Sequence, residues 1–242
     1  MKPSSITSAE SLTQLATRFG TDKWGSHYYT PHYERHFAPL RHLPISVLEI
    51  GIGGYEDPAK GGESLRMWEA FFPNARIYGI DLHDKRAQDG GRIRTFRGSQ
   101  TDDAFLDSVK KEIGPLHVVI DDGSHVNAHV IHTFLRLFPL LERGGIYAIE
   151  DLQTAYWPEF GGSPPSDHNP TTSINVLKDC IDRLNWAELT RFGYQPFWLD
   201  RQIVSLHFYH NLAFVHKGEN DEPSNMFNFD GTPKAPGADP TA

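Results

Sequence analysis

Apolar positions along the chain follow two alternating patterns. Short unbroken apolar runs at 45–50, 77–80, 116–120 and 144–149 have the length and composition of strands covered on both faces. Between them, the stretches 63–72, 104–112 and 127–141 place apolar residues at three- and four-residue spacing, which predicts helices. A third short strand, 92–97, is closed by the polar turn 98–102. This β-α alternation predicts a mostly parallel, doubly wound sheet. Ahead of it, Ser8 to Ser11 offer N-caps for a helix through Leu12, Leu15, Ala16 and Phe19, and a second helix over 31–40 starts with Pro31 in its first turn.

Elsewhere the pattern lapses. Residues 20–33 are dense in aromatics, His and small polar groups. They read either as a mobile lid bringing Trp24, His27 and Tyr28 over a ligand, or as rings packed on the domain surface. The stretch 156–170 is an irregular loop directly after a strand, where substrate loops usually lie. A helix over 173–184 follows, then strands at 202–209 and 212–216 joined by His210-Asn211, a hairpin signal. The expected division is an N-terminal helix in 1–17, one domain over 18–217 and a flexible tail over 218–242, where Gly, Pro, Asp and Asn dominate.

Bulk properties narrow the function. A chain of 242 residues with 38% hydrophobic and 22% charged residues suits a soluble α/β enzyme. The net charge of −8 excludes a dominant basic footprint for nucleic acid or anionic membrane. Cys180 stands alone, which excludes an internal disulfide and fits a reducing compartment; it reads as a small, partly buried hydrophobe rather than a reactive thiol. With no apolar leader and no run near the roughly 20 residues of a membrane span, a cytoplasmic location is expected.

Glu49-x-Gly51-x-Gly53 leaves the first strand and precedes a helix, where glycines admit a ligand to the backbone and the helix N-terminus favours its anionic group. Position 56 is Glu, so the full dinucleotide spacing is broken, which favours S-adenosylmethionine over NAD. Asp81 closes the second strand, placed to accept from both ribose hydroxyls, and Ser99 and Gln100 in the next turn are candidates for the adenine edge. Ser64, in the helix after the glycines, and Asp121 complete the candidate cofactor set.

Two strands end in paired acids: Asp121-Asp122 followed by Gly123-Ser124-His125, and Glu150-Asp151. In a parallel sheet both ends open on one edge, so Asp122, Glu150 and Asp151 can share a hard divalent ion such as Mg²⁺. With no cysteine and one candidate histidine nearby, structural zinc is disfavoured, and a two-His-one-carboxylate iron site is absent from these motifs. A metal there lowers the pKa of a bound hydroxyl, and His125 is placed to take its proton. His129, one helical turn on, reads as a packing or supporting residue.

Val-Leu-Glu-Ile-Gly-Ile-Gly-Gly at 47–54, Ile-Asp-Asp-Gly-Ser-His at 120–125 and Ile-Glu-Asp-Leu-Gln-Thr-Ala-Tyr at 149–156 resemble the metal-dependent sugar O-methyltransferases of antibiotic biosynthesis, rhamnosyl O-methyltransferases among them. Gly-Thr-Asp-Lys at 20–23 and His-Tyr-Tyr at 27–29 resemble the segment before that family's catalytic core. The resemblance implies a Rossmann-like class I methyltransferase fold, α/β, with a seven-stranded, mostly parallel sheet and an antiparallel strand from the C-terminal hairpin. It also implies S-adenosyl-L-methionine and Mg²⁺ as cofactors, Asp122, Glu150 and Asp151 as metal ligands, and His125 as general base. The acceptor it implies is a sugar hydroxyl on a glycosylated natural product, and the assembly a homo-oligomer. Two other readings stand beside it: a catechol-type phenol O-methyltransferase, since vicinal phenols chelate Mg²⁺ equally well, and a non-catalytic S-adenosylmethionine-binding protein.

Overall fold

A computed structural model describes residues 10–234 of the chain. Seven strands form one mixed sheet in the order β3-β2-β1-β4-β5-β7-β6. The chain divides into two compact units, one ending at Ser99 and one opening at Gln100, where the sequence pattern predicts one domain over 18–217. Each unit carries its own β-α repeats, as the halves of a doubly wound fold do.

In the first unit, α1 (Leu12–Phe19) opens on a capping box: Ser11 accepts from the backbone N–H of Gln14, whose side chain returns to the Ser11 N–H. Residues 1–9, including Ser8 of the expected cap, lie outside the described residues. Helix α2 (Thr30–Phe37) carries Pro31 in its first turn, then tightens into a short 3₁₀ turn at Ala38–Leu40, so the expected helix over 31–40 closes early. Pro39 has no N–H to continue the α-ladder. Strand β1 (Ser46–Ile50) is buried throughout and pairs in parallel with β2 (Arg76–Asp81), which pairs with β3 (Ile93–Arg97). Helix α3 (Glu63–Phe71) buries Leu65, Met67, Trp68 and Phe71, and the rings of Tyr33, Phe37 and Trp68 meet tilted or edge-on at 5.1–5.7 Å.

In the second unit, α4 (Asp103–Ile113) is capped by Asp102, which accepts from the Phe105 N–H. Strand β4 (Leu116–Asp121) pairs in parallel with β5 (Leu141–Ile149). Between them, α5 (Asn127–Leu137) gives way to a 3₁₀ turn at Phe138–Leu140, because Pro139 ends the ladder that the apolar pattern carries to 141. Helix α6 (Ser173–Leu184) has the expected bounds, and a short α7 (Trp186–Leu189) follows. The hairpin supplies β6 (Ile203–Tyr209) and β7 (Leu212–Lys217). Strand β7 runs antiparallel to both β5 and β6, so the last strand is inserted between them and β6 takes the edge.

For the segment after β7, composition predicts a flexible tail. Over the described part, Trp186 Nε1 donates to Asn220 O at 3.1 Å, Asn220 donates to Leu184 O and Asp200 O, and Phe229 stacks on Trp186 at 5.4 Å. Few apolar residues suffice when the polar ones find buried backbone partners. Among the described residues, no helix is long and apolar enough to cross a membrane.

Cys180 on α6 is fully buried, and burial pushes its thiol up to about 12. Because the thiolate is the nucleophile, the native protein is expected to resist alkylation at pH 8 and to take up one equivalent of iodoacetamide only after denaturation. Rapid labelling of native protein, read by mass spectrometry, would contradict the buried assignment.

Candidate active site

Strand β1 ends where Gly51 (φ 87°) and Gly53 (φ 76°) take left-handed backbone conformations that glycine adopts without strain. The loop beyond doubles back on itself: a Cβ on Gly61 would stand 2.4 Å from Gly53 O, and one on Gly54 2.4 Å from the Lys60 carbonyl carbon. Only paired glycines permit that approach. Lys85, 1% exposed, spans the loop from below, donating to Asp57 O at 2.9 Å and Lys60 O at 3.1 Å. Asp81 accepts from the Ile52 N–H at 3.0 Å and from the His83 N–H at 2.8 Å, so its carboxylate braces the glycine turn at the mouth of β2. Each oxygen keeps a lone pair for a ligand hydroxyl.

Glu49 is completely buried. Ser64 Oγ donates to its Oε2 at 2.7 Å, and Lys23 Nζ lies 3.2 Å from Oε1, itself 1% exposed. These two expected cofactor residues therefore hold one another, with Lys23 neutralising the charge that burial would otherwise expel. Within the 20–33 stretch, Tyr29 is buried and stacks on His27 at 4.8 Å, while Tyr28 is 65% exposed and meets Trp24 edge-on at 5.3 Å. Part of the stretch is therefore packed, and Tyr28 presents its ring to solvent.

In the second unit, β4 stops at Asp121 and β5 at Ile149, side by side in register. The chain then breaks sharply at both ends. His125 (φ 57°) and Asp151 (φ 53°) adopt left-handed conformations that non-glycine residues avoid at a cost of order 1 kcal/mol or more each. The result is convergence: donor atoms of Asp122, His125 and Asp151 lie within 4.8 Å of one another, and so do carboxylate oxygens of Asp122 and Glu150. His125 Nε2 is 3.6 Å from Asp151 Oδ2 and 3.9 Å from Asp122 Oδ1, distances too long for hydrogen bonds. The imidazole is held beside the carboxylates, about a quarter exposed, with Nε2 turned among them. Asp122 is common to both clusters, and its neighbours Asp151 and Glu150 supply hard oxygen donors of the kind Mg²⁺ prefers.

Asp121 plays another part. It is 1% exposed, and burial pushes its carboxyl up to about 7 against the pull of hydrogen bonds from Tyr147, the Gly123 N–H and Gln100. Gln100, expected at an adenine edge, has its amide engaged inside the protein. Nε2 donates to Asp121 Oδ1 at 3.3 Å and to Thr133 Oγ1 at 3.0 Å, and Oε1 accepts from the Ser124 N–H at 2.9 Å. Ser99, one residue earlier, is half-buried in the same turn. His129 supports the site as the pattern suggests, with Nδ1 2.8 Å from Ser124 Oγ.

Sequence reasoning missed Tyr147, Thr133, Lys85 and Asn127. Tyr147 had a faint signal, a hydroxyl within an otherwise apolar buried strand. Asn127, at the start of α5, donates to Thr154 O and Phe160 O and accepts from the Ser173 N–H at 2.6 Å, tying the loop after Asp151 to α6. That loop is a series of 3₁₀ turns at Leu152–Tyr156, Pro158–Phe160 and Pro165–Asp167. Tyr156 and Trp157 on it are 38% and 44% exposed. The hairpin turn closes the corner, where Asn211 O accepts from the Leu152 N–H at 3.0 Å.

No family model matches the chain. Curated relatives do. The chain is 51% identical over 213 residues to mycinamicin VI 2''-O-methyltransferase of Micromonospora griseorubida, covering 87% of this chain and 53% of that protein. It is 49% identical over 213 residues to demethylmacrocin O-methyltransferase of Streptomyces fradiae, covering 87% and 54%. It is 49% identical over 210 residues to 8-demethyl-8-alpha-L-rhamnosyl tetracenomycin-C 2'-O-methyltransferase of Streptomyces olivaceus, covering 86% and 55%. Among solved structures, the MycE methyltransferase in complex with Mg, SAH and mycinamycin VI superposes with a TM-score of 0.85 at 50% identity, covering 89% of this chain and 55% of that one. The chain spans about half the length of the relatives it matches. Over that half, it is a close homologue of sugar O-methyltransferases and shares their Rossmann-like methyltransferase fold.

Proposed function

We propose that the chain transfers the methyl group of S-adenosylmethionine to a sugar hydroxyl of a glycosylated small molecule, in a reaction that depends on Mg²⁺. The observation that carries this reading is the convergence of Asp122, His125 and Asp151 at two adjacent strand ends, with Glu150 beside Asp122. Carboxylate oxygens at adjoining strand ends are the hard ligands a divalent ion prefers. A methyltransferase of 50% identity over 89% of this chain is described in complex with Mg and SAH.

Asp122, Glu150 and Asp151 would hold the ion. Bound there, it supplies charge that lowers the pKa of an acceptor hydroxyl. His125 Nε2 then accepts the hydroxyl proton as the oxygen attacks the methyl carbon. The C–S bond breaks with its electron pair retained by sulfur, so the sulfonium leaves as a neutral thioether. In the first unit, the turn bounded by Gly51, Gly53 and Asp81 would bind the cofactor, with Glu49, Ser64 and Ser99 around it. Tyr156 and Trp157 present flat apolar rings to the acceptor from the loop that Asp151 begins.

The test is methyl transfer from S-adenosylmethionine to mycinamicin VI and to a rhamnosylated aromatic polyketide, with Mg²⁺ and with EDTA. Transfer that EDTA abolishes and Mg²⁺ restores is expected. Transfer indifferent to EDTA would remove the metal. Transfer to catechols in preference to both glycosides would overturn the sugar acceptor.

A further inference from the structure

We propose that Gln100 is a positioning residue for the base, fixing the turn Asp121–His125 by bridging the Asp121 carboxyl, the Ser124 N–H and the Thr133 hydroxyl. This rests on the functional reading above, in which His125 accepts the proton. A side-chain amide offers two donors and one acceptor oxygen. All three functions are used here: Nε2 on Asp121 Oδ1 and Thr133 Oγ1, Oε1 on the Ser124 N–H. Gln100 itself is 7% exposed.

The orientation of that amide is imposed rather than free. The Ser124 N–H can only be met by an acceptor, so Oε1 must face the turn. Thr133 Oγ1 donates to His129 O at 2.7 Å, which leaves its lone pair to receive Nε2. Tyr147 OH holds the other oxygen of Asp121 at 3.1 Å.

His125 needs such bracing. Its left-handed backbone has no glycine to relieve it, so the surroundings must over-determine the conformation. Gln100 pins the residue before it, and Ser124 Oγ reaches over it to accept from the Val126 N–H at 3.4 Å while meeting His129 Nδ1. Asp122 lies inside the same turn, so the pin that aims the imidazole also places a carboxylate of the metal set. A hydrogen bond donated to adenine by the same side chain would require breaking one of these bonds, because both amide hydrogens are used.

Gln100→Met keeps the length and apolar volume of the side chain and removes all three bonds. It is expected to lower turnover about 10- to 100-fold, the cost of misplacing a reacting group by about 1 Å, with S-adenosylmethionine affinity by calorimetry changed less than about twofold. Hydrogen exchange at the Ser124 amide should accelerate by at least about tenfold, and Mg²⁺ should bind more weakly in the presence of S-adenosylhomocysteine. Those last two readouts need no acceptor, so they decide the positioning role even where wild-type protein methylates no glycoside, an outcome that would sink the functional reading instead. Unchanged exchange and Mg²⁺ binding overturn the inference. So does a turnover loss matched by an equal loss of cofactor affinity, the signature of an adenine contact. Thr133→Val, which removes one bond and keeps the shape, should move the same readouts in the same direction by less. If Gln100→Met does not fold, that variant alone carries the test.

Discussion

Replacing His125 with alanine is expected to lower single-turnover methyl transfer by about 10²- to 10⁴-fold, the usual contribution of a positioned general base. Cofactor affinity should be unchanged. The side chain stands among Asp122 and Asp151 at 3.9 and 3.6 Å and supports no part of the fold that the described contacts reveal. Alanine is an imperfect probe, because the backbone at 125 is left-handed. His125→Asn is the companion, since asparagine tolerates that conformation and has no basic nitrogen. The two variants should lose turnover alike. A variant that still turns over at the wild-type rate removes His125 from the base role, whatever its stability.

The second large effect concerns stability. Lys23→Met is expected to destabilise the protein by about 3–5 kcal/mol, because it strands the Glu49 carboxylate without its cation in a fully buried position. The partners are 1% and 0% exposed and 3.2 Å apart, so solvent does little to screen the loss. Urea unfolding of the single variant against Lys23→Met/Glu49→Gln checks the assignment. The double variant should recover part of the loss, since the neutral amide tolerates burial better than a lone charge. A single-variant loss below about 1 kcal/mol would mean that water reaches the pair. Glu49 sits at the head of the glycine turn, so cofactor affinity should fall with stability in this variant, in contrast to His125→Ala.

Much of the site was legible because its chemistry sits at strand ends. Asp121-Asp122 and Glu150-Asp151 interrupt apolar runs that have no other reason to stop, and a parallel sheet brings such ends to one edge. The glycines of 51–53 were legible for a similar reason, since a strand-to-helix turn with left-handed residues has few other compositions. The internal hydrogen bonds of Gln100 were not legible. The turn after the third strand faces a cofactor in folds of this kind, but its side chain is claimed by Asp121, 21 positions away, and by Thr133, 33 positions away. Lys85 carries no signal at all, and Lys23 none of its burial, because a buried lysine and an exposed one are written identically.

The tail shows the same limit from another side. Its composition argues for disorder, yet the Asn220 amide reaches two backbone carbonyls, Leu184 O and Asp200 O, and its own carbonyl accepts from the Trp186 indole. Pattern alone settled the alternation of strands and helices, the reversed C-terminal hairpin and the residues that bear carboxylates and imidazole, because period and composition act within a few residues of one another. Tertiary structure decided which oxygen faces which proton, which charges are buried and paired, and how the turn before His125 is held. Those depend on contacts between residues far apart in sequence, formed only when the chain packs, and no local rule of spacing encodes them.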